Sequence, residues 1–262
     1  MMYSSLLQFS SGLIDVVAIS YQRRYNKLHR SIYGLSYDLY VLELAGSSLS
    51  VYSTLNYLWS PLVRVQLSRR YPLFYPLDGQ GIPLSVLLLI KDVLIGVSCL
   101  AVLRQLVIYR YTKHIHQSIS KLCIVVLLAA STFGILTYAF SSAHLPNNNS
   151  GLFGVFFIEH VNYTSVIGHI LSALRFLPQL SLNWFGSSTS GLSSKFVLVS
   201  FVNKVLYLLI RNFVPHSAEF YRIPFNTTPF SVLLLELFSI VGILYQAQLL
   251  YLNNKPHLPK GK

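Results

Sequence analysis

The sequence predicts an all-α polytopic membrane protein of seven transmembrane helices, built as two parallel three-helix repeats joined by a linker helix. Composition is the first observation behind this fold class: 53% of the 262 residues are apolar and only 11% are charged, whereas soluble domains carry about 25% charged residues. Apolar stretches of about 20 residues, the length that spans a bilayer, recur along the chain. A polar pattern that occurs twice is the third observation.

Seven stretches combine the length of a membrane helix with a low charge. The first has no Lys or Arg up to residue 22, unlike a cleaved signal peptide, so we interpret it as a retained helix. The third and the seventh have the clearest apolar runs, at residues 85–90 and 232–235. The predicted helices cover residues 4–22, 35–58, 82–104, 121–140, 152–176, 192–212 and 229–252.

Basic residues are concentrated in alternate loops, and this predicts the orientation. Twelve of them, Arg175 included, fall on one side and five on the other. The richer side is expected to face the cytosol, which puts the N-terminus in the lumen and the C-terminus in the cytosol. Two N-glycosylation sequons, at Asn148 and Asn226, fall in predicted lumenal loops. Because topology accounts for the net charge of +12, no nucleic-acid partner is expected.

The polar pattern consists of a glutamine, an asparagine and a Gly-Leu-Ser run. Gln22, Asn26 and residues 34–36 recur as Gln179, Asn183 and residues 191–193, each 157 positions later. Each copy ends the first helix of a three-helix group, and one helix between the groups leaves both in the same orientation. The predicted domains are a first repeat (1–110), a linker helix with a lumenal loop (111–150) and a second repeat with a short cytosolic tail (151–262).

The second copy contains Phe176-Leu177-Pro178-Gln179, which resembles the motif of the PQ-loop transporters, and the first copy is degenerate, with Tyr21 before Gln22. The run Gly34-Leu35-Ser36-Tyr37-Asp38, with Trp59, Pro61, Gln66 and Tyr71-Pro72 after it, resembles the cystinosin branch of that family. The resemblance implies proton-coupled export of L-cystine, or of a related amino acid, from the lumen of a vacuole or lysosome to the cytosol by alternating access.

The chain departs from this family at two positions that bear on proton coupling. Ser200 stands where the family has an aspartate that is central to coupling, and serine does not titrate. Glu43 stands where the family usually has an asparagine. The resemblance therefore leaves the proton-carrying residue to be found among the other charges of the predicted spans.

Charged residues inside the spans are the candidate functional groups, because a charge at the bilayer centre costs about 2.5–3.5 kcal/mol and so faces a cavity or a partner. Each has a structural alternative: Asp38 an interfacial position, Glu43 a pair with Lys204 or Lys91, and His169 a satisfied core histidine. Lys91 and Asp92 are expected to bond different helices, because neighbours on a helix point about 100° apart. The candidates for proton coupling are Asp38, Glu43, Glu236 and His169.

The substrate-binding and gating candidates lie around the repeated pattern. Arg175 could neutralise an anionic substrate group or anchor its helix at the lipid headgroups. Pro178 lacks a backbone donor and predicts a hinge, and the nearby amides can bond freed backbone groups or an amino-acid group. These candidates are Gln22, Asn26, Arg175, Pro178, Gln179, Asn183 and Lys204.

The sequence contains no catalytic triad, phosphate-binding glycine loop or metal-ligand cluster, so neither an enzyme nor a cofactor is expected. The expected partners are cystine or another small zwitterionic substrate, protons and the lipid bilayer, in the membrane of the vacuole, lysosome or endosomes. A SWEET-like sugar facilitator shares the parallel repeat, and a KDEL-receptor-like trafficking receptor shares the seven-helix layout, so both alternatives stay open. Charges inside the spans favour a zwitterion over a sugar.

Overall fold

The computed structural model describes residues 2–76, 82–113, 117–145, 149–213, 221 and 223–254, and most of these residues lie in helices. The predicted all-α class is confirmed. The last long helix continues as a π turn over Gln246–Leu250. In chain order the α-helices are α1 (Met2–His29), α2 (Tyr37–Trp59), α3 (Pro61–Arg70), α4 (Val86–Ile108), α5 (Lys121–Ser142), α6 (Phe157–Leu174), α7 (Leu177–Gly186), α8 (Ser194–Phe213) and α9 (Phe230–Tyr245).

Three helices in the described part of the chain are long and apolar enough to cross a membrane. They are α4, α5, and α9 with its π turn, of 23, 22 and 21 residues, and their most apolar windows have mean hydropathies of 2.5, 2.2 and 1.9. Only 11% of the α5 window is buried, so most of this helix faces away from the protein. An all-helical chain with such an outward apolar surface is a membrane protein.

The predicted boundaries are wrong at the first and fifth stretches. Helix α1 extends to His29 instead of residue 22, because the basic residues after the apolar stretch are also good helix formers. The fifth stretch, predicted to begin at residue 152, begins as α6 at Phe157, and a short unpredicted helix, α7, follows it from Leu177 after a break at Arg175 and Phe176. Pro178, in the first turn of α7, has no N–H to bond the Leu174 carbonyl, so α6 ends there.

Small residues bring α2 and α6 into close contact in the middle of the bundle. A Cβ on Gly46 would lie 2.8 Å from the Gly168 carbonyl oxygen, and a Cβ on Gly168 would lie 2.9 Å from that of Gly46. Such contacts between small residues are a common way for membrane helices to approach each other. The approach places Glu43, one turn before Gly46, beside the break at Arg175.

Candidate functional site

Five buried charged side chains form a continuous chain of ion pairs across the bundle. Arg175 contacts Glu43 through Nη1 at 2.8 Å and Glu236 through Nη2 at 3.1 Å. Lys204 Nζ contacts the other Glu236 oxygen at 3.0 Å and Asp15 Oδ2 at 2.8 Å. None of the five residues is more than 6% exposed. We call this set of five residues the ion chain.

Separate elements supply each member of the ion chain. Asp15 lies on α1, Glu43 on α2, Lys204 on α8 and Glu236 on α9. Arg175 lies at the break between α6 and α7, and its guanidinium stacks on the neighbouring Phe176 ring at 4.7 Å. The ion chain therefore ties together helices that are far apart in sequence, as expected for charges that cannot remain unpaired away from water.

The described members of the ion chain do not balance in charge, because three carboxylates share two cations. Asn203 supplies a further polar partner by donating to Asp15 Oδ1 at 2.8 Å. Within the part of the chain that the structure describes, Glu43 Oε2 and Arg175 Nε are buried without a hydrogen-bond partner. With all three carboxylates ionised, the cluster would carry one excess negative charge, and it has one spare acceptor and one spare donor.

Two cavities meet at the ion chain. The larger, about 60 Å³, is lined by all five members and extends along the bundle to Gln8 and Thr228; this volume holds a few water molecules. The smaller, about 10 Å³, has Asp15, Glu43 and Arg175 on its wall together with Tyr40, Cys99 and Ser200. The ion chain therefore separates these two cavities. We call the larger one, which reaches Gln8, the upper cavity. We call the smaller one, which has room for about one water molecule, the lower chamber.

At the other end of the bundle, the two copies of the repeated pattern contact each other reciprocally. Gln22 donates to the Gly191 carbonyl at 3.0 Å and accepts from the amide of Ser193 at 2.8 Å. Gln179 makes the matching pair of bonds with residues 34–36, at 2.9 and 2.7 Å. The two turns touch, since a Cβ on Gly191 would lie 2.2 Å from the Gly34 carbonyl carbon. We call Gln22, Gln179 and these two turns the glutamine clasp.

The clasp is held in each half by an asparagine and a second glutamine. Gln22 and Gln179 donate to Asn26 and Asn183, one turn later, at 2.8 and 2.7 Å. Each asparagine in turn donates to a glutamine on a later helix, Gln105 at 3.3 Å and Gln246 at 3.0 Å. All four predicted amide residues are fully buried or 1% exposed. They bond backbone groups and each other, one of the two roles open to them.

The structure brings Glu43, Arg175, Lys204 and Glu236 together, and His169 lines the same cavity. The headgroup alternative for Arg175 is wrong, because its side chain is buried against two carboxylates. Lys204 is not the partner of Glu43, although it does belong to the same chain. Pro178 lies next to the cluster at the helix break, where a hinge was predicted.

Two further expectations need correction. Lys91 and Asp92 pair with each other at 3.0 Å. The Lys91 side chain can bend back to Asp92 because it packs over Gly12 of α1, where there is no Cβ in its way. Asp38 is 2% exposed instead of interfacial, and it accepts the Ser120 N–H at 3.1 Å at the start of α5. This carboxylate therefore fastens α5 to α2.

The two predicted glycosylation sites have different outcomes. Asn226 is 6% exposed, its amide nitrogen donates to the Ser85 carbonyl at 2.8 Å, and its oxygen accepts from the Ser85 N–H at 3.2 Å. A side chain this buried leaves no room for a glycan on its nitrogen, so the prediction at Asn226 disagrees with the folded structure. Asn148 lies outside the described residues.

Sequence reasoning missed several residues of these sites. Asp15 is the one acidic residue of the first predicted stretch. A single acid in an otherwise uncharged membrane helix was the feature that could have identified it as a functional residue. Gln105 and Gln246 are 141 positions apart, so a search at the offset of 157 does not find them. Outside these two sites, His160 is buried between Tyr52 and Thr137, at 3.1 and 2.9 Å, and nothing in its sequence context distinguished it.

Comparison with known proteins gives one informative relationship. No protein-family model matches the chain. The chain is 50% identical over 258 residues to the uncharacterized protein YCL002C of Saccharomyces cerevisiae, and the match covers 98% of both chains. The similarity therefore extends over nearly the whole length, including the helices that supply the ion chain and the clasp.

Proposed function

This chain belongs to the family of the yeast protein YCL002C, and we propose that it is a proton-coupled secondary transporter of a small zwitterionic solute, L-cystine or a related amino acid. The observation that carries the proposal is the buried ion chain at the base of the upper cavity. Ionisable groups inside a membrane protein are costly and mark substrate and ion pathways. Carboxylates and cations side by side offer partners for both ends of a zwitterion.

The proposed architecture is seven transmembrane helices in two parallel repeats, as in the PQ-loop transporters that the sequence resembles. Helices α1, α2 and α4 would form the first repeat, α5 the linker, and α6 with α7, α8 and α9 the second. The reciprocal bonds of the clasp support this assignment, because each half contributes a glutamine, an asparagine and a turn in equivalent roles. Two such halves can rock about a shared central site.

In the proposed cycle the clasped conformation faces the lumen of a vacuole, lysosome or endosome. Solute and proton would enter past Gln8 and Thr228 and reach Arg175, and both would leave to the cytosol once the clasp parts. The basic residues that follow Gln22, in the last turns of α1 and just after it, support a cytosolic position for that end; they are Arg23, Arg24, Lys27 and Arg30. The N-terminus is then lumenal and the C-terminus cytosolic.

Transport by the purified full-length chain in proteoliposomes tests the proposal. We expect labelled L-cystine to accumulate faster when the outside is acidic than when both sides are at neutral pH, because a proton enters with each productive turnover. Unlabelled amino acids of similar size should compete, and glucose should not.

Two other results would contradict the proposal and identify an alternative. Glucose flux with no amino-acid flux would support the sugar facilitator. Absence of any flux, together with pH-dependent binding of peptide C-termini, would support a trafficking receptor. Empty liposomes prepared with the same lipids provide the control for leakage.

A further inference from the structure

We infer that Glu43 is the residue that takes up the coupling proton, and that its neutralisation releases Arg175 to bind a carboxylate group of the solute. This inference rests on the proposed function and assigns the two roles to particular atoms. It also narrows the solute to molecules that carry a carboxylate.

The charge of the cluster requires one proton for neutrality. Among the described residues that face Glu43, Asp15 comes from α1, Lys204 from α8 and Glu236 from α9, and with Glu43 and Arg175 they sum to one negative charge. Lys91 and Asp92 of α4 pair with each other and add no net charge, and a neutral His169 adds none. A buried excess charge is costly, and a single proton removes it.

The bonding of the three carboxylates shows where that proton would sit. Both oxygens of Asp15 are used, by Asn203 and Lys204. Both oxygens of Glu236 are also used, by Arg175 and Lys204. In the described part of the chain, only Glu43 combines an oxygen in an ion pair with a second, buried oxygen that has no partner. Protonation at Glu43 Oε2 therefore breaks no existing bond.

Neutral Glu43 changes what Arg175 can bind. The guanidinium stays charged at any physiological pH, and it would then lose its ionic partner at Nη1 while Nε–H has none among the described groups. A solute carboxylate that enters from the upper cavity can replace the Glu43 carboxylate as the counter-ion, since guanidinium–carboxylate bonds are among the strong charge-assisted ones. The proton comes from lumenal water through the upper cavity and returns to cytosolic water after the clasp opens.

Glu43→Gln tests the proton site, because the amide imitates the protonated carboxyl. We expect the several-fold difference in uptake between pH 5.5 and pH 7.5 to disappear in the variant, while exchange of labelled for unlabelled L-cystine stays measurable. Glu159→Gln is the matched control, since Glu159 pairs with Arg70 on a partly exposed surface and should leave the pH dependence intact.

The outcomes separate this inference from the proposed function. If the unchanged protein moves no amino acid, the proposed function fails. If the unchanged protein does move amino acids, two results would overturn the assignment to Glu43. In the first, Glu43→Gln keeps the pH dependence of uptake. In the second, Glu43→Gln is well folded by size-exclusion chromatography but no longer exchanges L-cystine.

Competition by blocked solutes tests the role of Arg175. L-Cystine dimethyl ester keeps both amino groups and lacks both carboxylates, so it should fail to compete with labelled L-cystine at a concentration where unlabelled L-cystine competes fully. Equal competition by the ester would overturn the assignment of a carboxylate to Arg175, whatever the result for Glu43.

Discussion

Single residues decide which groups of the ion chain can titrate. Arg175 keeps its charge throughout the physiological range, and Lys204 lies between two carboxylates at 2.8 and 3.0 Å, which favours its charged form. Changes in protonation must then fall on the acids, and their unequal bonding singles out Glu43. In the proposed mechanism, the two cations would serve as fixed charges around which a proton and a solute carboxylate alternate.

Lys204→Gln should destabilise the protein and abolish transport. The substitution leaves Asp15 and Glu236 each with one oxygen that has lost its cation, and breaking a buried pair in this way costs about 3–5 kcal/mol. The melting temperature in detergent and the uptake of L-cystine in proteoliposomes measure the two effects.

Lys195→Gln provides the matched control, since Lys195 lies on the same helix, is exposed and stacks at 5.9 Å over Tyr21. A surface change of this kind costs about 0.5 kcal/mol or less. Equal loss of stability in the two variants would mean that Lys204 is not specially held by the ion chain.

At the scale of elements, the two halves share a clasp but not a hinge. Helix α1 continues unbroken past Gln22, whereas the helix that carries Gln179 is interrupted just before Pro178. The degenerate first motif, with Tyr21 in place of proline, explains the difference. We expect the second half to bend more during the proposed opening of the clasp. The helix that carries Gln179 is interrupted, whereas α1, which carries Gln22, has a continuous ladder of backbone hydrogen bonds.

Gly191→Ala should weaken the clasp. The added Cβ would lie 2.2 Å from the backbone of Gly34, so the two turns have to separate, and overpacking of this kind costs about 1–3 kcal/mol. A lower melting temperature in detergent is the expected result.

Gly186→Ala is the control for this change, because a Cβ there meets no described atom within 4 Å. The residue ends α7, and alanine favours a helix, so the melting temperature should stay the same or rise slightly. If both variants melt alike, close contact between the turns does not stabilise the folded state.

At the scale of the whole molecule, the sequence predicted the helices better than their contacts. Apolar length and low charge identify the stretches that became α4, α5 and α9, because lipid demands both properties. The repeated pattern also predicted that Gln22 and Gln179 have equivalent roles. It did not predict that each glutamine would bond the opposite turn, since an offset along the chain contains no information on which halves face each other.

The ion chain was only partly predictable for a similar reason. The free-energy cost of a charge inside the membrane identifies Glu43, Lys204 and Glu236 as charges that need partners. Which partners they meet depends on how the helices pack. Arg175 enters the bundle because the helix breaks there, and Lys91 bends back to Asp92 because Gly12 leaves room for it. Neither event follows from the periodicity of a single helix.

Alternating access predicts that the two ends of the molecule respond in opposite directions when the clasp is loosened. Cys99 is fully buried in the lower chamber with Tyr40 and Ser200, and Cys123→Ser leaves it as the sole thiol. Thr228 lines the far end of the upper cavity, so a thiol placed there by Thr228→Cys, with both native cysteines replaced by serine, reports on the other end.

With Gly191→Ala added to each background, N-ethylmaleimide should label Cys99 several-fold faster and the thiol at position 228 several-fold more slowly. Opening one end of a rocking bundle closes the other around the fixed ion chain, which is why the two rates must diverge. Gly186→Ala in the same backgrounds should change neither rate. If both thiols react faster with Gly191→Ala, the substitution merely loosens the bundle, and the clasp is a structural fastening instead of one gate of a pair.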